Sequence, residues 1–279
     1  MLFLQIFLYH AVVLPTLEKE IGNYRVIRYR KAVVTNKKDV DRMFATELHS
    51  TVDGGGLRQG CKVRGIHRWV INGTSLMSGA NFVGSLKLRS NCLYTKGRAS
   101  RGHKVKSANC DQCRVYESLS HILQKCSRTW AMRNARHDSV VDLVLQLLEK
   151  HGYETAKEPV IVTRAGKRIP DIVAWKSGMQ GIVLDVTVVS DDADLDYTHE
   201  LKRAYYEVPE VRAWVAQKAC ISPPEVSFSA VAMNWRGGMS SVSSRDLKAY
   251  GIGISEQEKV SVRTVEKGYH CYVFSCKST

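Results

Sequence analysis

Apolar residues recur with two different periods along the second half of the chain, and the change of period marks its elements. In RHDSVVDLVLQLLEKHG (136–152), Val140, Val141, Val144, Leu147 and Leu148 return at helical spacing. That predicts an amphipathic helix with Gly152 as its stop. Three strand-like runs follow: EPVIVTR (158–164), IPDIVAWK (169–176) and GIVLDVTVV (181–189), with AGK (165–167) and SGMQ (177–180) as turns. SDDADLDYTHELKRAYYEV (190–208) opens with acids that suit a helix N-terminus and continues as a helix. Beyond Pro209 come another helix (210–220), a strand (226–233), a turn at WRGGMS and a helix near SSRDLKAYG. The closing VSVRTVEKGYHCYVFSC fits either an edge strand or a final helix. An α-β-β-β-α order of this kind predicts a small mixed sheet flanked by helices, and an α+β fold class.

The first half is less periodic. Residues 1–53 alternate short apolar runs with basic clusters (YRVIRYRKAVV, NKKDVDR), predicting helices and a strand. The opening MLFLQIFLYHAVVLP lacks the basic lead and small-residue cleavage site of a signal peptide. It reads as a buried helix or strand truncated by an arbitrary start. VDGGGLRQG (52–60) reads as a flexible turn; no Gly-Lys-Ser/Thr follows its glycines, so it is no phosphate-binding loop. Trp69 and Phe82 are the expected anchors of 61–90. SLKLRSNCLYTKGRASRGHKVK (85–106) loses apolar periodicity and reads as a basic linker. No stretch approaches the length of a membrane span.

Charge changes this picture. The net charge is +14, and residues 1–109 carry 19 Lys/Arg against 6 Asp/Glu, whereas 110–279 carry 22 against 21. From Gly54 to Cys110 there are 11 basic residues and no acidic one. A one-signed segment of that size repels itself unless it meets a polyanion, which points to nucleic acid. The candidate contacts are Arg58, Lys62, Arg64, Arg68, Lys87, Arg89, Lys96, Arg98, Arg101, Lys104 and Lys106.

Of the eight cysteines, three cluster with a histidine in CDQCRVYESLSHILQKC and five are scattered. That is the usage of a reduced, intracellular protein with one metal site. The ligands are Cys110, Cys113, His121 and Cys126, in the pattern C-x2-C-x7-H-x4-C. Four protein ligands complete a tetrahedron and leave no open position, so the expected zinc is structural.

A second candidate site lies in the hairpin. If its turn is centred on Gly178, antiparallel pairing sets Asp171 across from Asp185, Val173 across from Val183 and Trp175 across from Gly181. Opposed side chains share a face at about 5 Å between Cβ atoms. Ile172, Ala174, Ile182, Leu184 and Val186 then form the opposite, fully apolar face. Two carboxylates that close repel unless a divalent cation lies between them. Oxygen ligands of this kind suit magnesium, which can activate water against a phosphodiester. Lys202, on the following helix ahead of Tyr205 and Tyr206, is the expected cation of that site.

The order zinc cluster, R-H-D, R-I-P-D, a second Asp fourteen on, and H-x2-K ahead of Tyr-Tyr resembles a known family. It is similar to the carboxy-terminal part of the Pol polyprotein of site-specific non-LTR (type-1) retrotransposable elements, which carries a CCHC zinc knuckle and a restriction-like PD-(D/E)xK endonuclease. DGGGLR and ANFVGSLKLRSNCLYT resemble the end of the reverse-transcriptase thumb and the linker, and WRGGMS a late RG segment. The resemblance implies a magnesium-dependent endodeoxyribonuclease that nicks target DNA to prime reverse transcription, with Asp171, Asp185 and Lys202 as its catalytic residues. It implies four segments: thumb remnant 1–84, basic linker 85–109, zinc knuckle 110–135 and endonuclease domain 136–279. Partners would be a DNA target duplex and element RNA, in the nucleus, with self-association left open. Thr187 stands where the plain restriction-enzyme motif has lysine, and Tyr94 where the linker has proline. No Phe/Tyr-x-Asp-Asp box occurs, so this chain is not expected to polymerise. Two other readings stay open: an inactive or domesticated zinc-knuckle nucleic-acid binder, and an assembly fragment whose knuckle contacts protein.

Overall fold

A computed structural model of the chain describes residues 16–21, 24–29, 32–34, 37–73, 75–105 and 107–277. They fall in two units, Met1–Val52 and Asp53–Thr279. The opening apolar run 1–15 and Lys106 lie outside the described residues. In the first unit, strands β1 (Thr16–Ile21), β2 (Tyr24–Tyr29) and β3 (Ala32–Val34) pair as an antiparallel meander, and helix α1 (Lys37–Ser50) follows. The sheet is larger than the single predicted strand. YRVIRY is dense in aromatic and β-branched residues, which fit a pleated surface better than a helix.

The second unit opens with structure where a flexible turn was expected. Residues Gly55–Lys62 form a 3-10 helix packed on a distant turn. A Cβ on Gly56 would lie 2.0 Å from Asp191 Oδ2, so glycine is needed there for close approach rather than for flexibility. Asp53 accepts hydrogen bonds from Asn91 (3.0 Å) and Arg98 (2.6 Å), and its carbonyl takes one from the buried Arg236 (2.7 Å). Arg236 is in turn paired with Asp191 at 2.5 Å. The predicted linker at 85–106 also differs from expectation. Helices α2 (Arg68–Asn72), α3 (Gly79–Arg89) and α4 (Lys96–Arg101) run into and through it. Ser78 and Thr95 cap the last two by accepting from the Asn81 and Arg98 amides. Leu88 and Leu93 are buried with Trp69 and Trp235, too few apolar positions to show a period but enough to dock the segment. Phe82 meets Trp69 edge-on at 6.1 Å.

Helix α5 (Leu119–Gln124) belongs to the cysteine cluster, and α6 (Trp130–Lys150) carries the predicted periodic stripe, beginning six residues earlier than its pattern. Strand β4 (Glu154–Lys157) follows, then β5 (Ile161–Thr163), β6 (Gly166–Arg168), β7 (Ile172–Lys176) and β8 (Gln180–Val189). The main sheet has the order β4-β7-β8-β9, where β9 (Val226–Asn234) runs parallel to β8 and the other pairs are antiparallel. The run 158–164 is therefore not one of its strands. Only 161–163 is extended, and it pairs with 166–168 as a separate two-stranded hairpin. ETAK takes the sheet edge instead; a short polar strand suits an edge, where one flank faces solvent.

Helices α7 (Leu195–Tyr206), α8 (Pro209–Ala219), α9 (Ser241–Ala249) and α10 (Ile254–Lys277) complete the chain. The closing segment is thus a helix. Ile172, Ala174, Ile182, Leu184 and Val186 pack on Val140, Val141, Val144, Leu147 and Leu148 of α6, as the strand period requires. Each fully buried Ile or Leu there contributes roughly 1.5–3 kcal/mol. On the other face Val173, Val183, Val226 and Phe228 meet Val211 and Val215 of α8. No helix among the described residues is long and apolar enough to cross a membrane.

Candidate functional site

The cysteine cluster closes as its spacing requires. Cys110 and Cys113 sit on a turn closed by Cys110 N–H to Val115 O (2.8 Å) and Arg114 N–H to Cys110 O (2.8 Å). Ser118 caps α5 by accepting from the His121 amide, which fixes His121 on the first turn. The ligand atoms of Cys110, Cys113, His121 and Cys126 all lie within 4.8 Å of one another. The Cys126 sulfur is 3.9 Å from Cys110 Sγ and 3.8 Å from Cys113 Sγ. Two sulfurs on one tetrahedral zinc, each about 2.3 Å from it, stand about 3.8 Å apart. His121 Nε2 is buried without a hydrogen-bond partner, and burial lowers the imidazole's pKa, keeping it in the neutral, ligating form. Arg128 reaches to 3.7 Å from Cys110 Sγ and offsets the charge of ligating thiolates. The cluster can hold zinc with no position left open.

The hairpin pairs in the predicted register: Val173 with Val183, Trp175 with Gly181, and Ile172 with Leu184 as its last rung. Continuing that register brings Asp171 level with Asp185, but Asp171 lies just outside β7 and bonds with its side chain instead. Its Oδ2 accepts from the Val186 amide at 2.6 Å and from His137 Nε2 at 3.2 Å. His137 Nε2 also faces Val186 O at 3.0 Å, and its Nδ1 lies 3.2 Å from Asp138 Oδ1. Acceptors at both ring nitrogens are satisfied by the doubly protonated imidazolium. The hydrogen bond to Asp171, assisted by its charge, pushes the His137 pKa up to about 9.

Asp185, in the middle of β8, is only 3% exposed. Burial and the neighbouring Asp171 charge raise its pKa, while Lys202 opposes them. The Lys202 ammonium stands 3.0 Å from Asp185 Oδ2, off the line of a directed hydrogen bond, so that buried oxygen keeps an unused acceptor position. Lys202 is aimed by its helix. One turn earlier, His199 is 1% exposed and its Nε2 meets Ser229 Oγ (3.1 Å) and Asp246 Oδ2 (3.3 Å). One turn later, Tyr206 donates to Ile169 O at 3.1 Å, and burial with the Asp185 charge raises its pKa. Residues three and four apart share a helix face, so pinning His199 and Tyr206 orients Lys202 between them.

A Pol polyprotein from type-2 retrotransposable element R2DM of Drosophila melanogaster is 29% identical over 258 residues, which is 91% of this chain and 24% of that polyprotein. The chain is homologous to R2 Pol polyproteins. Pol polyproteins from type-1 element R2 are 29% identical in Nasonia vitripennis over 75% of this chain, and 30% identical in Popillia japonica over 69% of it. The chain covers 20% and 40% of those two R2 polyproteins, so it corresponds to a fraction of each. No protein-family model matches it.

His137 had no role assigned from spacing, although it lies in the R-H-D triplet on which the resemblance was drawn. No local pattern marks it, because its partners Asp171 and Val186 lie 34 and 49 residues on. The basic stretch divides. Lys62 pairs with Asp196 (2.8 Å), Lys96 with Asp111 (2.5 Å), and Arg98 and Arg101 with Asp53 (2.6 and 3.3 Å), while Arg89 donates to Arg236 O. Arg58, Arg64, Arg68, Lys87 and Lys104 form no ion pair among the described residues. Among those residues, no other group of three or more His, Cys, Asp or Glu gathers as tightly as the cysteine cluster.

Proposed function

We propose that this chain is the DNA-cleaving part of a retrotransposon Pol polyprotein, a metal-dependent endonuclease that nicks target DNA for priming of reverse transcription. One observation carries the reading: Asp171, just ahead of β7, comes level with Asp185 in the middle of β8, and the Lys202 ammonium stands 3.0 Å from Asp185. Asp171 Oδ1 accepts no hydrogen bond from a described residue, and Asp185 Oδ2 has no directed one. These two hard oxygens would hold magnesium, a donor set that suits the ion. Bound there, it would polarise a phosphodiester and lower the pKa of a water it carries.

The protein groups have separable tasks. His137 and the Val186 amide fix the Asp171 carboxylate by its other oxygen. Lys202 neutralises Asp185 and is the group available to meet charge developing on phosphate oxygens. Arg58, Arg64, Arg68, Lys87 and Lys104, with no carboxylate partner among the described residues, are available to DNA phosphates or element RNA. Zinc on Cys110, Cys113, His121 and Cys126 would hold the knuckle, and the site of action would be the nucleus.

The test is nicking of supercoiled plasmid with magnesium by the full chain and by Asp185→Ala. Nicking by the first and not the second is the expected result; equal nicking by both removes the hairpin from the mechanism. A second reading has its own support. His137 with Asp171 and Lys202 with Asp185 already balance the two anions, as in a structural ion-pair cluster. Under that reading the chain binds nucleic acid in a salt-sensitive way and cuts nothing under any divalent metal.

A further inference from the structure

The outer face of α7 and the β5–β6 hairpin form a surface that the cleavage reading leaves unused. Tyr197, Leu201 and Tyr205 are spaced four apart, so they make one stripe along the helix. They are 65%, 53% and 51% exposed. Hydrophobic side chains this open are ordinary singly; three in line beside an active-site candidate are not. The Tyr205 ring packs edge-on against Tyr206 at 4.9 Å, and Tyr206 is the residue whose hydroxyl holds Ile169 O. The stripe therefore begins one residue from the carboxylate cluster.

The hairpin supplies cations to the same place. The Arg168 guanidinium lies 4.3 Å over the Tyr205 ring, donates to Tyr205 O, and has no carboxylate partner among the described residues. Lys167 forms no ion pair among the described residues, and Arg164, 98% exposed at its side chain, has one long ion pair, to Glu210 at 3.7 Å. The acids of α7 do not cancel this charge. Glu200 is held by Arg203, Glu207 by Arg203 and Arg212, and Asp196 by Lys62. Exposed rings beside cations, of which Lys167 and Arg168 have no carboxylate partner among the described residues, match one ligand chemistry. A duplex hides its base faces within the stack, whereas an unpaired strand offers both bases for stacking and phosphates for pairing.

We propose that the Tyr197–Leu201–Tyr205 face and the Arg164–Lys167–Arg168 hairpin bind an unpaired nucleic-acid strand, with bases stacked on the tyrosines and phosphates against the hairpin cations. The proposal rests on the nucleic-acid part of the preceding reading but not on cleavage. If both hold, the strand is opened beside the carboxylates before it is cut.

The experiment uses the full chain carrying Asp185→Ala, so that no probe is consumed. Fluorescence anisotropy compares a short mixed-sequence single strand with the same sequence as a duplex. Base–aromatic stacking is worth about 1–3 kcal/mol per base. Adding Tyr197→Ala and Tyr205→Ala should weaken single-strand binding by ~10-fold or more and duplex binding by less than ~3-fold, since a tenfold change is about 1.4 kcal/mol. Tyr197→Phe with Tyr205→Phe should restore it, because the rings and not the hydroxyls stack. Equal loss on both probes, no loss on either, or loss of self-association without loss of strand binding overturns the proposal. Circular dichroism of each variant checks that the fold is kept, since Tyr205→Ala also removes the contacts with Tyr206 and Arg168. Failure here leaves plasmid nicking by the unaltered chain intact, whereas failure of nicking leaves this binding intact.

Discussion

The knuckle and the carboxylate hairpin both gather residues able to ligate a metal, but they do so in opposite ways. In the knuckle, sulfurs stand 3.8 and 3.9 Å apart with His121 Nε2 buried and unpartnered, an arrangement that can take an ion. In the hairpin, Lys202 and His137 already stand against Asp185 and Asp171. A site whose fold depends on its metal has no internal substitute for that metal. A site meant to exchange an ion, a water and a substrate phosphate needs groups that hold its anions in the meantime. Under the proposed function, this is the difference between a structural centre and a working one.

The comparison breaks most sharply at the cysteines. Cys110→Ser should release zinc and unfold the knuckle, because structural zinc contributes apparent binding energies of roughly 10–16 kcal/mol to small folds. Metal content and thermal unfolding read this directly. Asp185→Asn should do the reverse, removing about 10³-fold of nicking, near 4 kcal/mol of barrier, while leaving the fold intact. Because burial raises the Asp185 pKa, its ionised form costs stability. That cost is relieved as pH falls through the raised value, and Asn should be at least as stable at neutral pH.

Glu256 supplies a control of opposite sign away from either centre. Burial acts to raise its pKa, but hydrogen bonds from Lys150 (2.6 Å) and His151 (2.8 Å) prevail and lower it to about 2. A depressed carboxylate stabilises the fold above its ordinary pKa and loses that contribution as pH falls from about 4.5 towards 2. Glu256→Gln should therefore cost about 2–3 kcal/mol at pH 7, and little at the acid end, by urea unfolding at the two pH values. The smallest effect expected is His137→Ala. Asp171 keeps the Val186 amide but loses its second holder, so nicking should slow by roughly 10–100-fold while zinc content stays unchanged.

How much of this was legible before the structure depended on the reach of each pattern. The α6 stripe and the β7–β8 register were readable because the residues that decide them are sequence neighbours: Val140 to Leu148 within one helix, and Ile172 to Val186 around one turn. The cysteine cluster was readable for the same reason. What escaped were the interactions closed over long separations. Gly56 packs on Asp191 and Arg236 reaches Asp53, so a glycine run that looks loose locally is held from the other end of the chain. The edge position taken by 154–157 rather than 158–164 is likewise a tertiary choice, since ETAK carries weaker strand propensity than PVIVT. His137 was missed because its partners, Asp171 and Val186, lie 34 and 49 residues away.

The claim on which the rest turns is that Asp171 and Asp185 jointly bind one divalent cation. Electron paramagnetic resonance of manganese, used in place of magnesium on the zinc-loaded chain, counts that ion directly. One bound manganese per chain is expected, lost in both Asp171→Asn and Asp185→Asn. Manganese binding that survives either substitution, or no bound manganese in the unaltered chain, would contradict that claim.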